Sequence, residues 1–189
     1  MEHKNKIYLS KLADIYSGYS LRDVSKVGSA GNIYWVQPQN VWTQDFTALP
    51  RLNIKLSKNI TLLREQDILL TNRVHFRTAT CASLPTKPCL ASSAIWIIRV
   101  KSGPLYAPFL TFWLNSSAGQ RALQERTNAF STLKSLKKED LATLAIPLPP
   151  IGQQKQLANL YTCCITQHNL QTKKFNLQLR LLDALSTHL

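Results

Sequence analysis

The chain has 189 residues, 44% of them hydrophobic, with 23 Lys and Arg against 10 Asp and Glu and a formal charge of +13. That length suits one globular domain with an extension rather than two ordinary domains, and the cationic excess favours a polyanionic partner; 19 of the basic and 9 of the acidic residues precede Pro150. Four cysteines without a Cys-x-x-Cys pair and a charged start without an apolar run argue against a disulfide framework and a secretory signal. The longest apolar run, Leu105 to Leu114, is too short to cross a bilayer, so a cytoplasmic protein away from the membrane is expected.

Ile7-Tyr8-Leu9 reads as a strand, and Leu12-Ala13-Asp14-Ile15-Tyr16 leads to a break at Ser17-Gly18. Ile33 to Gln37 is a second strand signal, with Trp35 expected to point inward. Pro38 to Lys58 has weak periodicity and reads as a surface region with at most a short helix. The segment Leu62 to Thr71 comes next. After it, in Asn72-Arg73-Val74-His75-Phe76-Arg77, polar and apolar residues alternate. On a strand or at a strand end, that alternation puts Arg73, His75 and Arg77 on one side and Val74 and Phe76 on the other. Arg can bridge guanine O6 and N7, and Asn can bridge adenine N6 and N7, so Asn72, Arg73, His75 and Arg77 are candidates for groove readout; an ordinary solvated strand face is the plainer alternative.

Ala91 to Val100 is the strongest strand, apolar enough for burial on both faces, and Lys87 just upstream is a candidate phosphate contact. Pro108 fits the first turn of a helix packed by Phe109, Leu110, Phe112 and Trp113, and Ser117 to Gln120 has capping-box spacing for a second helix. Ser131, Thr132, Lys134, Lys137 and Lys138 offer hydroxyl and ammonium groups to phosphates. Leu141 to Leu148 reads as an apolar strand stopped by prolines. From Ile151 onward there is no proline and, past Gly152, no glycine, which predicts one helix of about 35 residues, about 50 Å long. Such a rod outreaches its own domain. Its stripe, Leu157, Tyr161, Cys164, His168, Phe175, Leu179 and Leu182, is read as the seam of a coiled coil, with a helix folded back on its own domain as the alternative.

Several of these stretches, in order, resemble the specificity subunits of type I restriction-modification enzymes. They are the opening Leu-Ala-Asp-Ile segment before Ser17-Gly18, Asp67-Ile68-Leu69, the helix bearing Gly119-Gln120, the small-residue loop Thr127 to Lys134, Ile146-Pro147-Leu148-Pro149-Pro150, and Gln153-Gln154-Lys155-Gln156-Leu157-Ala158. Ala13 and Gln66 stand where the family commonly has glycine, and Gln153 where it commonly has glutamate.

The resemblance implies a mixed α/β (α+β) target recognition domain over residues 1–150, with a twisted mixed β-sheet and flanking helices, and a long coiled-coil helix over 151–189. It implies a half-length subunit that binds one half of a bipartite double-stranded DNA target, recruits methylation and restriction subunits, and pairs with a second copy through antiparallel helices. It carries no cofactor of its own.

An enzyme reading finds little support. Acidic residues are scattered apart from Glu65 with Asp67 and Glu139 with Asp140, no glycine-rich cofactor loop or Asn/Asp-Pro-Pro-aromatic segment occurs, and the four histidines lie far apart. The rival from another class is a regulatory or structural dimer that holds the methylation subunit without reading DNA.

Overall fold

Leucine- and isoleucine-rich segments of three to six residues, separated by turns, give short strands, and the glycine- and proline-free stretch after Gly152 gives one long helix. The computed structural model describes residues 6–21, 27–28, 31–54, 60–73, 75–81, 84–85, 88–127 and 135–186. In chain order the elements are β1 (Lys6–Tyr8), α1 (Leu9–Leu12), β2 (Ala13–Ser17), β3 (Val27–Gly28), β4 (Ile33–Val36), α2 (Pro38–Thr43), β5 (Arg51–Leu52) and β6 (Ile68–Thr71). Then follow β7 (Thr78–Thr80), β8 (Cys89–Ala91), β9 (Ile95–Val100), α3 (Ala107–Asn115), α4 (Ser117–Gln124), α5 (Lys138–Ala142), β10 (Ala145–Pro147) and α6 (Ile151–Ser186).

Two four-stranded sheets form the body. One is antiparallel throughout, in the order β2-β9-β6-β7; the other runs β3-β5-β4-β8 and is mixed, because β4 and β8 are parallel. β1 pairs with β10 in a separate two-stranded ribbon that ties the start of the chain to the base of α6. β6 shows why both faces of the first sheet are buried. Ile68 and Leu70 enter one core with α3, α4 and Ala158 of α6, while Leu69, one residue out of phase, enters the second core with Val36, Ala91, Ile95 and Ile97.

The sheets are stitched at Gly18, whose amide donates to Ile95 O (3.0 Å), while the amide of Tyr19 donates to Ala91 O (2.7 Å). A Cβ at residue 18 would lie 2.0 Å from Ser92 O, so the glycine is required by this close approach. At the start of β6, Asp67 is buried and receives Arg99 Nε (2.8 Å), Arg99 Nη2 (2.7 Å) and the Arg64 amide (2.8 Å). That bidentate pair fixes the β6–β9 register and holds the guanidinium above its usual pKa, chiefly through the hydrogen bond to Asp67.

Three expectations are corrected. Ala91 to Val100 is not continuous: the chain turns at Ser92, closed by the Ile95 amide on Ser92 O (2.9 Å), so β8 and β9 belong to different sheets. Leu141 begins no strand. Residues 138–142 are helical because Asp140 accepts the Lys137 amide (3.3 Å) and two acids occupy the first turn, leaving only Ala145–Pro147 extended. The Pro38–Lys58 region includes β5 and contributes Leu52 and Ile54 to a third core, with Ile33, Trp35 and Leu90.

α6 has 36 residues, about 54 Å of helix. Its first turns dock on the domain through Gln154 and Ala158, which are both buried. Gln154 accepts the Tyr106 amide and donates to Pro104 O and Pro149 O, all at 2.8 Å. Tyr161 receives Asn115 Nδ2 (2.8 Å) and Gln44 Nε2 (3.2 Å) on its hydroxyl and packs on the ring of Phe112. From Thr166 to Ser186 every residue of the helix is exposed. Among the described residues no helix is long and apolar enough to cross a membrane.

Candidate nucleic-acid interface and partner helix

The stretch singled out after β6 is the tight connection between β6 and β7. Thr71 closes it from inside: its amide donates to Arg77 O (3.0 Å), its hydroxyl donates to His75 O (2.5 Å), and the same oxygen accepts the Arg77 amide (2.9 Å). Phe76 is the buried plug, and Gln120 of α4 donates Nε2 to both Phe76 O and Leu114 O at 2.7 Å. With those anchors inside, Arg73, His75 and Arg77 stand exposed. At these described positions the exposure follows the alternation in the sequence, although the backbone is a loop and not a strand; Val74 lies outside the described residues.

The loop has a second strut. Asn115 accepts the Thr78 amide on Oδ1 (3.0 Å) and donates Nδ2 to Thr78 O (2.8 Å) as well as to Tyr161 of α6. Asparagine at the end of α3 thereby joins the base of the rod to the β6–β7 connection. Sequence reading did not find Thr71, Asn115 and Gln120 as positioning residues, because a lone polar side chain carries no periodic signal.

Asn72 is corrected. It is 9% exposed, its Nδ2 donates to Ser93 O (2.9 Å), its amide donates to Ala94 O (3.0 Å) and its carbonyl receives the Leu136 amide (3.0 Å). A two-bond grip on adenine needs both ends of the carboxamide at the surface. Here Nδ2 is committed inside and Oδ1 is buried with no hydrogen-bond partner. Asn72 holds the loop to the β8–β9 turn and to the segment before α5.

That last contact assembles two distant stretches. Arg73 forms an isolated antiparallel bridge with Ser135, and the indole N–H of Trp96 donates to Leu136 O (2.9 Å). Exposed Lys137 and Lys138 follow within three residues, so the 72–77 loop and the 135–138 segment share one edge of the domain. Among the described residues the ion pairs are Arg99 with Asp67 and Lys101 with Asp14, and neither uses a cation of this edge. Among the described residues Arg73, Arg77, Lys137 and Lys138 therefore form no ion pair, with Glu139 and Asp140 following the two lysines in the first turn of α5. Lys87, Ser131, Thr132 and Lys134 lie outside the described residues.

One side chain on this edge came without a sequence signal. Trp42, at the end of α2, is 52% exposed and sits edge-on to the His75 ring, with centroids 6.4 Å apart and planes at 75°.

The expected seam on α6 divides in two. Leu157 and Tyr161 are half-buried against the chain's own domain, Leu157 beside the core and Tyr161 on Phe112, so they are withdrawn from it. Cys164, His168, Phe175, Leu179 and Leu182 stay exposed. Leu170, Leu177, Leu181 and Leu185 extend the apolar surface of the same arm and are 56–63% exposed. Phe175, Leu179 and Leu182, at spacings of four and three, lie along one side of it.

The fold is shared with solved structures. The chain is similar to the HsdS subunit from Thermoanaerobacter tengcongensis, with a TM-score of 0.58 and 19% identity over 89% of this chain and 39% of that one. It is also similar to a chain of a type I R-M system solved for its complex assembly and conformational transition, with a TM-score of 0.61 and 20% identity over 94% and 42%. A type I restriction-modification S subunit from M. genitalium matches with a TM-score of 0.53 and 15% identity over 86% and 40%. The chain thus spans about two fifths of the length of each. A search of curated proteins gave no match. The family model described as type I restriction modification DNA specificity domain matches residues 9–176, and by that match the chain belongs to this family.

Proposed function

We propose that this chain acts in DNA-sequence specificity, its domain over residues 1–150 binding one half of a bipartite duplex target. The observation that carries the reading is the edge built from the 72–77 loop and the 135–138 segment. Two arginines and two lysines that form no ion pair among the described residues stand on a backbone held by Thr71, Asn72 and Gln120. Phosphate contacts from Lys137 and Lys138 give affinity and register, while Arg73 and Arg77, with His75 between them, face the base edges. The loop is closed before DNA arrives, so little ordering entropy opposes the contact.

The chain itself performs no catalysis. Its work is recognition and placement of separate methylation and restriction subunits. A second copy pairs antiparallel along the distal arm of α6, with Phe175, Leu179 and Leu182 in the seam beside Cys164 and His168. Two domains are then set a fixed distance apart along the duplex, and the target has two-fold symmetry. The large apolar side chains left exposed from Leu170 to Leu185 support this pairing, since each is worth roughly 1.5–3 kcal/mol when fully buried.

The test is binding to mixed-sequence duplex DNA across a salt series, with mass measured in solution. Two phosphate-facing cations per domain, Lys137 and Lys138, give a slope of log K against log salt of about −2 per domain, roughly a 12-fold loss between 50 and 200 mM. The mass of two chains is expected. Affinity independent of salt, or a monomer at micromolar concentration in the presence of target, contradicts the reading.

A further inference from the structure

We propose that Trp42 is a base-stacking contact, its indole taking a nucleobase that has left its own stack beside the Arg73–Arg77 loop. The inference rests on the DNA-reading role above. Among the described residues outside α6, only Tyr8 and Trp42 are large apolar side chains more than half exposed. Folding does not require the indole at this position: the buried anchor of α2 is Val41, and α2 packs on β6 and β7, the strands that flank the loop. The helix is also held independently of the ring. Pro38 occupies its first turn, Asn40 accepts the Gln37 amide on Oδ1 (2.9 Å) and donates Nδ2 to Asp45 O (3.2 Å), so Trp42 is presented outward from a fixed backbone.

The surroundings choose the ligand. His75 lies 6.4 Å from the indole by ring centroids, and Arg73 and Arg77, two residues to either side of it, form no ion pair among the described residues. A large aromatic surface beside a loop that carries two exposed arginines suits a ligand that is planar and anionic together, and a nucleotide combines the two. The near-perpendicular contact with His75 leaves the rings unstacked on one another, so the imidazole does not take the place a parallel base would occupy. Bases inside a duplex are stacked on their neighbours, hence the partner is a base extruded from the helix or one in a single strand.

The experiment uses the full chain, a mixed-sequence single-stranded 12-mer and the duplex of the same sequence. Tryptophan emission of the wild type is expected to be quenched by the 12-mer, and that quench to be lost in Trp42→Phe, which keeps a ring and binds within about fivefold of wild type. Trp42→Ala is expected to bind the 12-mer roughly 5- to 150-fold more weakly while melting at the wild-type temperature. Retained quenching in Trp42→Phe together with unchanged affinity in Trp42→Ala overturns the inference and leaves the DNA-reading role standing. Unchanged affinity with a lowered oligomeric mass in Trp42→Ala also overturns it, making the indole a protein contact. If wild type binds neither the strand nor the duplex at any salt, it is the DNA-reading role that fails, and this inference with it.

Discussion

Gln154→Ala probes the joint between the rod and the domain. The side chain is 1% exposed and spans three backbone groups from two other segments, accepting the Tyr106 amide and donating to Pro104 O and Pro149 O, each at 2.8 Å. Alanine leaves one donor and two acceptors unpaired in a site shaped for a carboxamide. At about 1–3 kcal/mol for each buried polar group left unsatisfied, with water reaching some of them, the net cost is about 3 kcal/mol. For a chain of this length that is a fall in melting temperature of about 6–12 °C. Gln154→Glu discriminates the cause: a carboxylate still accepts the Tyr106 amide but turns acceptors toward two carbonyls, so it should be at least as destabilising despite its matching size. Urea denaturation followed by circular dichroism and by tryptophan emission reads both variants. A Gln154→Ala protein within about 0.5 kcal/mol of wild type, or a Glu variant as stable as wild type, would refute the reasoning that this amide sets the rod on the domain.

Asn72→Ala and Arg73→Ala should separate support from readout. The first is expected to lose about 1–3 kcal/mol of folding stability through the orphaned Ser93 carbonyl with base preference unchanged, and the second to keep stability within about 0.5 kcal/mol while losing about 1–3 kcal/mol of binding and relaxing one target position; denaturation and footprinting check them. Arg99→Ala leaves the buried Asp67 carboxylate with only the Arg64 amide and should cost about 3–5 kcal/mol by urea titration. Burial pushes the Cys81 thiol up to about 12 and Cys89 to about 11, whereas Cys163 and Cys164 are exposed on α6. A thiol reagent at pH 8 should therefore label two cysteines in the native chain and four in urea. Because those raised values favour the protonated native thiols, their stabilising contribution is complete below about pH 8.5 and is lost as pH climbs toward 11–12 in a pH–stability titration.

Much of the fold was legible because it is periodic. The apolar run Ile33 to Val36 marked a strand with Trp35 inward, and the absence of proline and glycine after Gly152 marked α6 almost to its ends. What was not legible depends on contacts between distant residues. The break at Ser92 needs Gly18 from the other sheet, and the helix at 138–142 follows from Asp140 accepting the Lys137 amide just ahead of an apolar run. Leu157 and Tyr161 lie on the same helical repeat as Phe175 and Leu179, and only the presence of Phe112 and Asn115 decides that they face the domain. At the site, side-chain alternation separated the exposed cations from Phe76. It misjudged Asn72, whose carboxamide donates inward to the Ser93 carbonyl, and it gave no sign of Trp42, which its neighbours in sequence do not distinguish from core.

The most direct measurement is selection of bound DNA from a random duplex pool by the purified chain, alone and together with an adenine methylation subunit. Recovered sequences should carry one short half-site repeated in inverted orientation across a constant gap. A pool that stays unenriched, or enrichment of half-sites with no fixed separation, would contradict the account of a cationic reader held at a set distance by its own helix.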